Sequence, residues 1–235
     1  MRRCRIVLQA RTSSRRLPAK VLLPIAGLPL ALLCAYRLAS SGRELVLATS
    51  RDPSDDILAA LAEDQGIKVY RGSLDNVAER FLMACADMND DDLLVRATAD
   101  NPVPDGSLVE AMLDDFPRTN GDYLGPGSYR RELPIGLGVE IVRLGAFRHS
   151  LLGEIVPEVA EHVTPHLSRA GSSLDAPAFD RQGDLRPVRM TVDTLNDYLV
   201  AARAFRAHPA GAATPWRTAA MAFMELRNAA EGNSG

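Results

Sequence analysis

Short apolar runs alternate along the chain with longer amphipathic segments. Residues 5–10 and 44–49 are aliphatic and show no helical periodicity, which predicts two buried strands. Residues 28–39, between them, carry apolar positions suited to a helix. The chain is therefore predicted to open with a strand, a long polar loop, a helix and a second strand.

The alternation continues through the first half of the chain. Pro53, Asp55 and Asp56 are typical of a helix start and predict a helix over 53–65, which ends at Gly66. The next predicted elements are a strand at 67–70, a turn at 71–73, a helix at 75–88 and a strand at 92–97. Strands separated by helices favour right-handed crossovers. We expect an α/β fold with an open, mostly parallel Rossmann-like sheet and helices on both faces.

The rhythm changes beyond about residue 118. We predict one domain over 1–235 with an inserted lobe at about 125–186, because the α/β pattern resumes only near the end of the chain. The elements predicted in this half are an apolar run at 136–142, helices at 144–152 and 155–168, an irregular excursion at 171–186, a strand at 187–192, and helices at 195–207 and 214–229.

Composition excludes several classes of protein. The 235 residues are 46% hydrophobic, as in an ordinary globular protein, and no apolar run reaches the roughly 18 residues of a membrane span. The three cysteines show no ligand spacing, which argues against a disulfide scaffold or a zinc site. We expect a cytoplasmic protein with reduced thiols and no membrane partner.

Charge is unevenly distributed along the chain. Residues 1–43 hold nine Lys or Arg and no acid, whereas the remainder holds 18 basic and 30 acidic residues. A basic segment on an acidic body indicates a local anion site and argues against binding nucleic acid over the whole surface.

The loop after the first strand concentrates this positive charge. Between Gln9 and Lys20 it holds four cations, three hydroxyls and no acid. Guanidinium and ammonium groups with hydroxyl and backbone donors suit a phosphate chain. The loop is neither a GxGxxG fingerprint nor a P-loop. A solvated basic loop is the competing interpretation, but a position at the carboxyl end of a strand, where open α/β sheets bind ligands, favours a binding site.

Two carboxylates follow other predicted strands. Asp100 comes after the strand at 92–97 and Asp193 after the strand at 187–192. A carboxylate opposite a phosphate loop is where Mg²⁺ would be held. The alternative for Asp100 is an N-cap or a turn before Pro102. For Asp193 the alternative is capping of the next helix, a role that Thr194 also fits.

Nine ordered segments from about residue 5 to 200 carry a resemblance to a known family. The chain resembles the cytidylyltransferases of the spore coat polysaccharide biosynthesis group, which are relatives of the CMP-sialic acid and CMP-Kdo synthetases. The segments are Gln9-Ala-Arg11 with Ser14, Arg16-Leu-Pro18, Lys20-Val-Leu, Arg71-Gly-Ser73, Arg80-Phe81, Val95-Arg96 with Asp100 and Pro102, Gly136-Leu with Val139-Glu140, Glu161-His162-Val-Thr164-Pro165 and Thr191-Val-Asp193-Thr194.

The resemblance implies a nucleotidyltransferase fold of the glycosyltransferase-A-like type. It also implies CTP and Mg²⁺ as ligands, a small-molecule acceptor, a CMP-sugar and pyrophosphate as products, and a homodimer that uses the inserted lobe. The residue roles that it implies are Arg11, Ser14, Arg16 and Lys20 on the triphosphate, Gln9 and Ala10 facing the base through backbone atoms, Arg71 and Ser73 beside the nucleotide, and Asp100 and Asp193 as metal ligands.

One segment departs from the family pattern. Where the group usually shows Pro-Asp-Gly-Leu-Asp-Val-Glu near the acceptor, Ile135 and Gly138 replace the two acids. We expect a less polar acceptor pocket, poor activity with sialic acid or Kdo, and a preference for a less hydroxylated or more apolar acceptor. Arg130, Glu140 and His162 are candidate acceptor contacts, although a surface acid or a hydrogen-bonded histidine is an equal alternative.

Three functions remain open from the sequence. The first is a sugar or sugar-acid cytidylyltransferase. The second is a transferase that uses another nucleotide or a non-sugar acceptor, such as a phosphonate or polyol phosphate. The third is a catalytically silent nucleotide-binding homologue, which the missing acids at 135 and 138 would favour.

Overall fold

A six-stranded sheet forms the centre of the protein. The computed structural model describes residues 2–119, 121–129, 133–152, 163, 164, 167 and 188–232, with side chains to 229. The strands are β1 (Cys4–Gln9), β2 (Pro24–Ile25), β3 (Leu28–Pro29), β4 (Glu44–Ser50), β5 (Lys68–Gly72), β6 (Leu93–Thr98), β7 (Tyr123–Leu124) and β8 (Glu140–Arg143). The central sheet has the order β5-β4-β1-β6-β8-β7, and β2 and β3 form a separate antiparallel pair.

The sheet is parallel from β5 to β6, and β8 and β7 are added antiparallel at one edge. Its helices are α1 (Leu30–Ala39), α2 (Asp56–Asp64), α3 (Val77–Ala84), α4 (Gly106–Asp115), α5 (Leu144–Ser150), α6 (Leu195–Arg206) and α7 (Trp216–Gly232). This arrangement confirms the predicted α/β class with a mostly parallel sheet.

Alternate side chains of β1 enter two cores on opposite faces of the sheet. Ile6 and Leu8 belong to the larger core, to which α1, α4, α6 and α7 contribute. Val7 belongs to the smaller core, which includes residues of α3 and α5. Because both faces of the central strands are covered, these strands read as continuous apolar runs in the sequence.

Several predicted boundaries change in the structure. The helix predicted from residue 28 begins at Leu30, since 28 and 29 pair with β2. The predicted turn at 71–73 was wrong in part, because Arg71 and Gly72 extend β5 beside β4. Helix α4 was not predicted; it begins at Gly106, where an added Cβ would lie 2.0 Å from the backbone nitrogen of Ser41.

The strand predicted at 187–192 was also wrong over its described residues, 188–192. These residues do not join a sheet, because their amides bond to loops instead. The amide of Met190 donates to the carbonyl of Ile135 at 2.8 Å, and that of Val192 donates to the carbonyl of Asp100 at 2.8 Å. The segment nevertheless delivers Asp193 to the loop after β6.

The predicted helix at 155–168 lies largely, and the excursion at 171–186 entirely, outside the described residues. Cys4, Cys34 and Cys85 are free thiols, and burial raises the pKa of Cys4 to about 11 and that of Cys85 to about 12. Among the helices that the structure describes, none is long and apolar enough to cross a membrane.

Candidate active site

An open cleft of about 990 Å³ lies at the carboxyl ends of β1 and β6. One wall is the basic loop after β1, and the opposite wall is the start of α3 with the residues that precede it. The lining residues are Gln9, Ala10, Arg11, Ser13, Ser14, Arg15, Arg16, Lys20, Val21, Ser73, Leu74, Asp75, Asn76, Val77, Arg80, Arg96, Thr98, Ala99, Asp100 and Asp193. Most of the residues predicted for the nucleotide therefore share one cleft.

The basic loop is closed by its own backbone. The carbonyl of Thr12 accepts hydrogen bonds from the amides of Ser14, at 2.9 Å, and Ala19, at 2.8 Å. Ala19 has φ 55° and ψ 22°, a left-handed conformation, and the short 3-10 helix Lys20–Leu22 follows it. The left-handed residue turns the chain so that Lys20 enters the cleft.

A buried aspartate anchors the loop to β4. Oδ1 of Asp55 accepts hydrogen bonds from the amide and the hydroxyl of Thr12, both at 2.7 Å. Oδ2 of Asp55 accepts from the amide of Ser50, at 3.2 Å, and from the hydroxyl of Ser50. Burial would raise the pKa of Asp55, but the hydrogen bonds from Ser50 and Thr12 outweigh it and lower that pKa. The loop thus rests on an ionised, fully hydrogen-bonded carboxylate.

Lys20 joins the two predicted metal ligands. Its Nζ donates to Asp100 Oδ2 at 2.8 Å, to Asp193 Oδ1 at 3.0 Å and to the carbonyl of Val192 at 2.8 Å. The three donors of an ammonium group are therefore all used. The structure brings together, within reach of one ion, three residues that the sequence separates by up to 173 positions.

Asp193 is surrounded by cations. Arg16 lies 2.8 Å from its Oδ1, and Arg189 bonds to its Oδ2. Burial would raise the pKa of Asp193, but the hydrogen bond and charge of Lys20 outweigh it and lower that pKa. Asp193 is therefore ionised at neutral pH.

Neither aspartate serves as the helix cap that the sequence left open as an alternative. Thr194 is the N-cap of α6 and forms a capping box with Asp197. Asp105 is the N-cap of α4, which leaves the Asp100 carboxylate to Lys20. Both carboxylates point into the cleft instead of closing a helix.

The residues predicted for the nucleotide fall into two groups. The group that lines the cleft comprises Gln9, Ala10, Arg11, Ser14, Arg16, Lys20 and Ser73. Arg71 is not among these lining residues, and its guanidinium donates to the carbonyls of Ser50 and Asp52 and to the carboxylate of Asp56. These contacts fasten β5 to the start of α2.

Glu140, a candidate acceptor contact, is bonded to other residues of the protein. Its carboxylate bonds to Arg96 and accepts hydrogen bonds from Tyr123 Oη and Thr164 Oγ1, both at 2.7 Å. Burial would raise the pKa of Glu140, but the charge of Arg96 and these hydrogen bonds hold it lowered. The side chain of Arg96, and not that of Glu140, lines the cleft. Arg130 and His162 lie outside the described residues.

Sequence reasoning assigned no site role to Arg80, Arg96 and Asp55. Arg80 and Arg96 both stand in the family-like segments, and Arg96 also interrupts the apolar run of residues 93–97, which is a signal that could have singled it out. Asp55 was interpreted only as an acid favouring a helix start. No sequence pattern reveals its contact with Thr12, since 43 positions separate the two residues.

Ile135 and Gly138, which replace the two acids of the family pattern, lie in different environments. Ile135 is 59% exposed, so a charged side chain fits there. Gly138 is enclosed: an added Cβ would lie 2.6 Å from Pro126 Cγ and 3.2 Å from Leu133 Cδ1. The missing acid at 138 therefore accompanies tight packing, whereas the one at 135 changes an accessible surface.

Comparison with known sequences identifies the family. The cytidylyltransferase family model matches residues 5–143. The spore coat polysaccharide biosynthesis protein SpsF of Bacillus subtilis is 32% identical over 205 residues, which are 82% of this chain and 82% of that protein.

Solved structures show the same fold. A cytidylyltransferase from Leptospira borgpetersenii superimposes with a TM-score of 0.83 at 23% identity, covering 97% of this chain and 96% of that one. A CMP:2-keto-3-deoxy-manno-octonic acid synthetase in complex with CTP gives a TM-score of 0.59 at 20% identity, covering 87% of this chain and 98% of that one. The sequence match and the shared fold together show that the chain belongs to the cytidylyltransferase family and is a nucleotidyltransferase.

Proposed function

We propose that the protein transfers CMP from CTP to a hydroxyl of a sugar or sugar-acid acceptor and releases pyrophosphate. The observation that carries the proposal is the convergence of Lys20, Asp100 and Asp193 at the end of a closed cationic loop. Family membership supports the cytidylyl donor. The acceptor class is supported by the solved synthetase in complex with CTP, because the name of that enzyme includes a sugar acid.

The reaction makes one bond and breaks one. The acceptor oxygen bonds to the α-phosphorus of CTP, the bond from that phosphorus to the bridging oxygen of pyrophosphate breaks, and the hydroxyl proton is released. Charge builds on the transferring and leaving oxygens, so catalysis requires positioning and cations. Arg11, Arg15, Arg16 and Lys20 supply those cations from one wall of the cleft. We assign Arg11, Arg16, Lys20 and Ser14 to the triphosphate.

The donor set fits Mg²⁺ held by Asp100 and Asp193. The described residues contain no cluster of three or more His, Cys, Asp or Glu side chains. Two carboxylates contacting one ammonium suit an ion that takes one or two protein carboxylates and completes its shell with phosphate oxygens and water. When bound, Mg²⁺ would neutralise charge on the α-phosphate. The three donors of Lys20 are engaged by Asp100, Asp193 and the carbonyl of Val192, so Lys20 exchanges one of these contacts for a phosphate oxygen when the nucleotide binds.

A second donor, or a silent protein, has less support. A silent homologue has no need to hold two carboxylates and a buried lysine together in a ligand cleft, because burying charged groups costs desolvation energy. The exposed Ile135 favours an acceptor that is less polar than sialic acid or Kdo.

Pyrophosphate release tests the proposal. The purified protein is incubated with Mg²⁺, each of the four nucleoside triphosphates and a panel of sugars, sugar acids and polyol phosphates. We expect release with CTP and one acceptor class, and a loss of at least a hundredfold in Asp100→Asn, because an amide is a weaker magnesium ligand than a carboxylate. Asp193→Asn should lose a similar amount or less.

Asp64→Asn, on the exposed end of α2, is the matched control and should keep the wild-type rate. Release from Asp100→Asn at the wild-type rate would refute the metal assignment. Release with a purine nucleotide in preference to CTP would refute the proposed donor.

A further inference from the structure

The wall of the cleft formed by α3 contains a buried arginine, Arg80, that forms no ion pair with any residue that the structure describes. Arg80 is 1% exposed, yet it lines the cleft. Its Nε and Nη1 are buried and have no hydrogen-bond partner, and it forms no ion pair within the described residues. A guanidinium offers five donors in a rigid fork, so most of the binding capacity of this side chain is unused.

The environment of Arg80 does not favour its charge. Burial lowers its pKa, Arg11 lowers it further by repulsion, and only the charge of Asp55 opposes these effects. An unpaired buried charge is among the least favourable features that a fold can carry. Such an arrangement is tolerated in a folded protein when a ligand supplies the missing hydrogen-bond acceptors.

The stem of Arg80 is fixed in place. Gly72, at the end of β5, packs so closely that an added Cβ would lie 2.7 Å from Arg80 Cγ. The guanidinium is thereby held at the α3 side of the cleft. A side chain that is already ordered loses little entropy when it binds a ligand.

Arg80 and the carboxylate cluster lie at opposite ends of the cleft. Lys20, Asp100 and Asp193 meet beside the end of β6, whereas Arg80 packs against the end of β5, and β1 and β4 separate these strands. Three strand spacings amount to about 14 Å. A ligand that reaches both ends must be elongated, as a nucleoside triphosphate is, with its phosphates at the β6 end.

We propose that Arg80 selects the base of the nucleotide by donating hydrogen bonds to O2 and N3 of cytosine. This inference rests on the proposed function, which places CTP in the cleft. Cytosine presents two adjacent acceptors that match a guanidinium fork, whereas uracil carries a hydrogen on N3. Gln9 also lines this cleft, and its Oε1 is a buried acceptor that has no hydrogen-bond partner in the described part of the chain and suits the cytosine amino group.

The test compares Arg80→Met with Arg16→Ala by calorimetry, using CTP, UTP and inorganic triphosphate. In Arg80→Met we expect CTP affinity to fall roughly ten- to a hundredfold, as for loss of a bidentate base contact. UTP affinity should fall less and triphosphate affinity should not change. In Arg16→Ala, triphosphate and CTP affinities should fall together.

A second readout separates ligand recognition from a structural role. Because Arg80→Met removes an unpaired buried charge, the thermal midpoint without nucleotide should rise. Arg80→Lys, which keeps the charge without the fork, should lose the preference for CTP over UTP even if the Met variant does not fold.

Three outcomes would overturn the inference: unchanged CTP affinity, an equal loss of CTP and triphosphate affinity, which would assign Arg80 to a phosphate, or a lower thermal midpoint with unchanged base preference. These measurements need no turnover. A failure to release pyrophosphate would therefore contradict the proposed function without affecting the result for Arg80.

Discussion

The ammonium of Lys20 lies 2.8 Å from the carboxylate of Asp100, a residue 80 positions further along the chain. The same nitrogen reaches Asp193 and the carbonyl of Val192, so one side chain ties the basic loop, the end of β6 and the segment before α6. Lys20 is also only 8% exposed. A change at this position should alter stability as well as binding, in contrast to the other cations of the loop.

Arg16 and Lys20 should therefore respond differently to alanine. Arg16 has 64% of its side chain exposed, so Arg16→Ala should weaken CTP binding by about 1.5 to 3 kcal/mol and leave the fold unchanged. Lys20→Ala should weaken binding similarly and also destabilise the protein by about 3 kcal/mol, since two carboxylates lose their shared partner. Calorimetry and denaturant unfolding measure the two effects. Unchanged CTP affinity in both variants would make the loop an ordinary solvated surface.

Glu140→Gln should affect the acceptor through Arg96. The amide keeps an oxygen for Tyr123 and Thr164 but removes the charge that holds Arg96 at the cleft wall. We expect KM for the acceptor to rise roughly tenfold, with kcat and CTP affinity little changed, because about 1.4 kcal/mol of positioning is lost. Steady-state kinetics with the acceptor found in the pyrophosphate assay would show this. A drop in thermal midpoint with normal KM would reduce Glu140 to a structural role.

The stability of the protein should fall in acid partly through Glu44. Hydrogen bonds from Lys68 and Arg5 lower the pKa of Glu44 from 4.5 to about 2. Because the folded-state pKa is the lower one, this stabilisation is present above about pH 4.5 and is lost as the pH falls towards 2.

Glu44→Gln should lower the free energy of unfolding at pH 7 by roughly 1 to 2 kcal/mol and match the wild type at pH 2. Thermal midpoints measured against pH test this, with the exposed Glu63→Gln as control. A constant difference between the Glu44 variant and the wild type at every pH would be inconsistent with the assigned ion pairs.

Ile135 offers the better test of acceptor choice. Ile135→Asp places an acid on an accessible position, so it should fold normally and reduce turnover of the true acceptor by roughly tenfold while leaving CTP affinity unchanged. Leu152→Asp, at another exposed apolar residue, is the control. Gly138→Asp is unsuitable because it collides with Pro126. Efficient turnover of sialic acid or Kdo by the unmodified protein would show that position 135 does not face the acceptor.

Ala19→Gly should stabilise the protein. Ala19 has φ 55°, a conformation that costs an L-residue energy and glycine almost none, so the gain should be about 0.5 to 1 kcal/mol. Ala60→Gly, on the exposed face of α2, should change stability by about 1 kcal/mol in the opposite direction. Denaturant midpoints compare the two. Destabilisation by both substitutions would mean that the left-handed turn carries no strain.

The sequence predicted the class of fold because the β1, β4 and β6 segments are buried on both faces and their apolar runs are unambiguous. It also predicted that the loop from Gln9 to Lys20 and Asp100 lie together, since carboxyl ends of parallel strands share one edge. Asp193 also lies at this edge of the sheet, but not because it follows a strand of the sheet. It follows an extended segment held by single hydrogen bonds to Ile135 and Asp100, and no periodicity distinguishes such a segment from a strand.

Side-chain partners were beyond prediction. The guanidinium of Arg71 turns to the backbone of Ser50, and the carboxylate of Glu140 turns to Arg96. Both choices depend on which strands are neighbours: Arg96 and Glu140 face each other only because β8 pairs antiparallel with β6. The sequence carries no local signal for that register.

The hydrogen bond from the amide of Ala19 to the carbonyl of Thr12 also determines whether the loop loses its conformational entropy on folding or on ligand binding. Fixing a residue's backbone costs on the order of 1 to 2 kcal/mol in conformational entropy. Here the loop is held by the hydrogen bonds to the Thr12 carbonyl and by the contact between Thr12 and Asp55. The entropy of the loop is therefore lost when the protein folds and not when a ligand binds. A ligand then meets cations that are already gathered, and more of its contact energy appears as affinity. The association rate should also be high, since a pre-formed loop needs no rearrangement after the ligand is encountered.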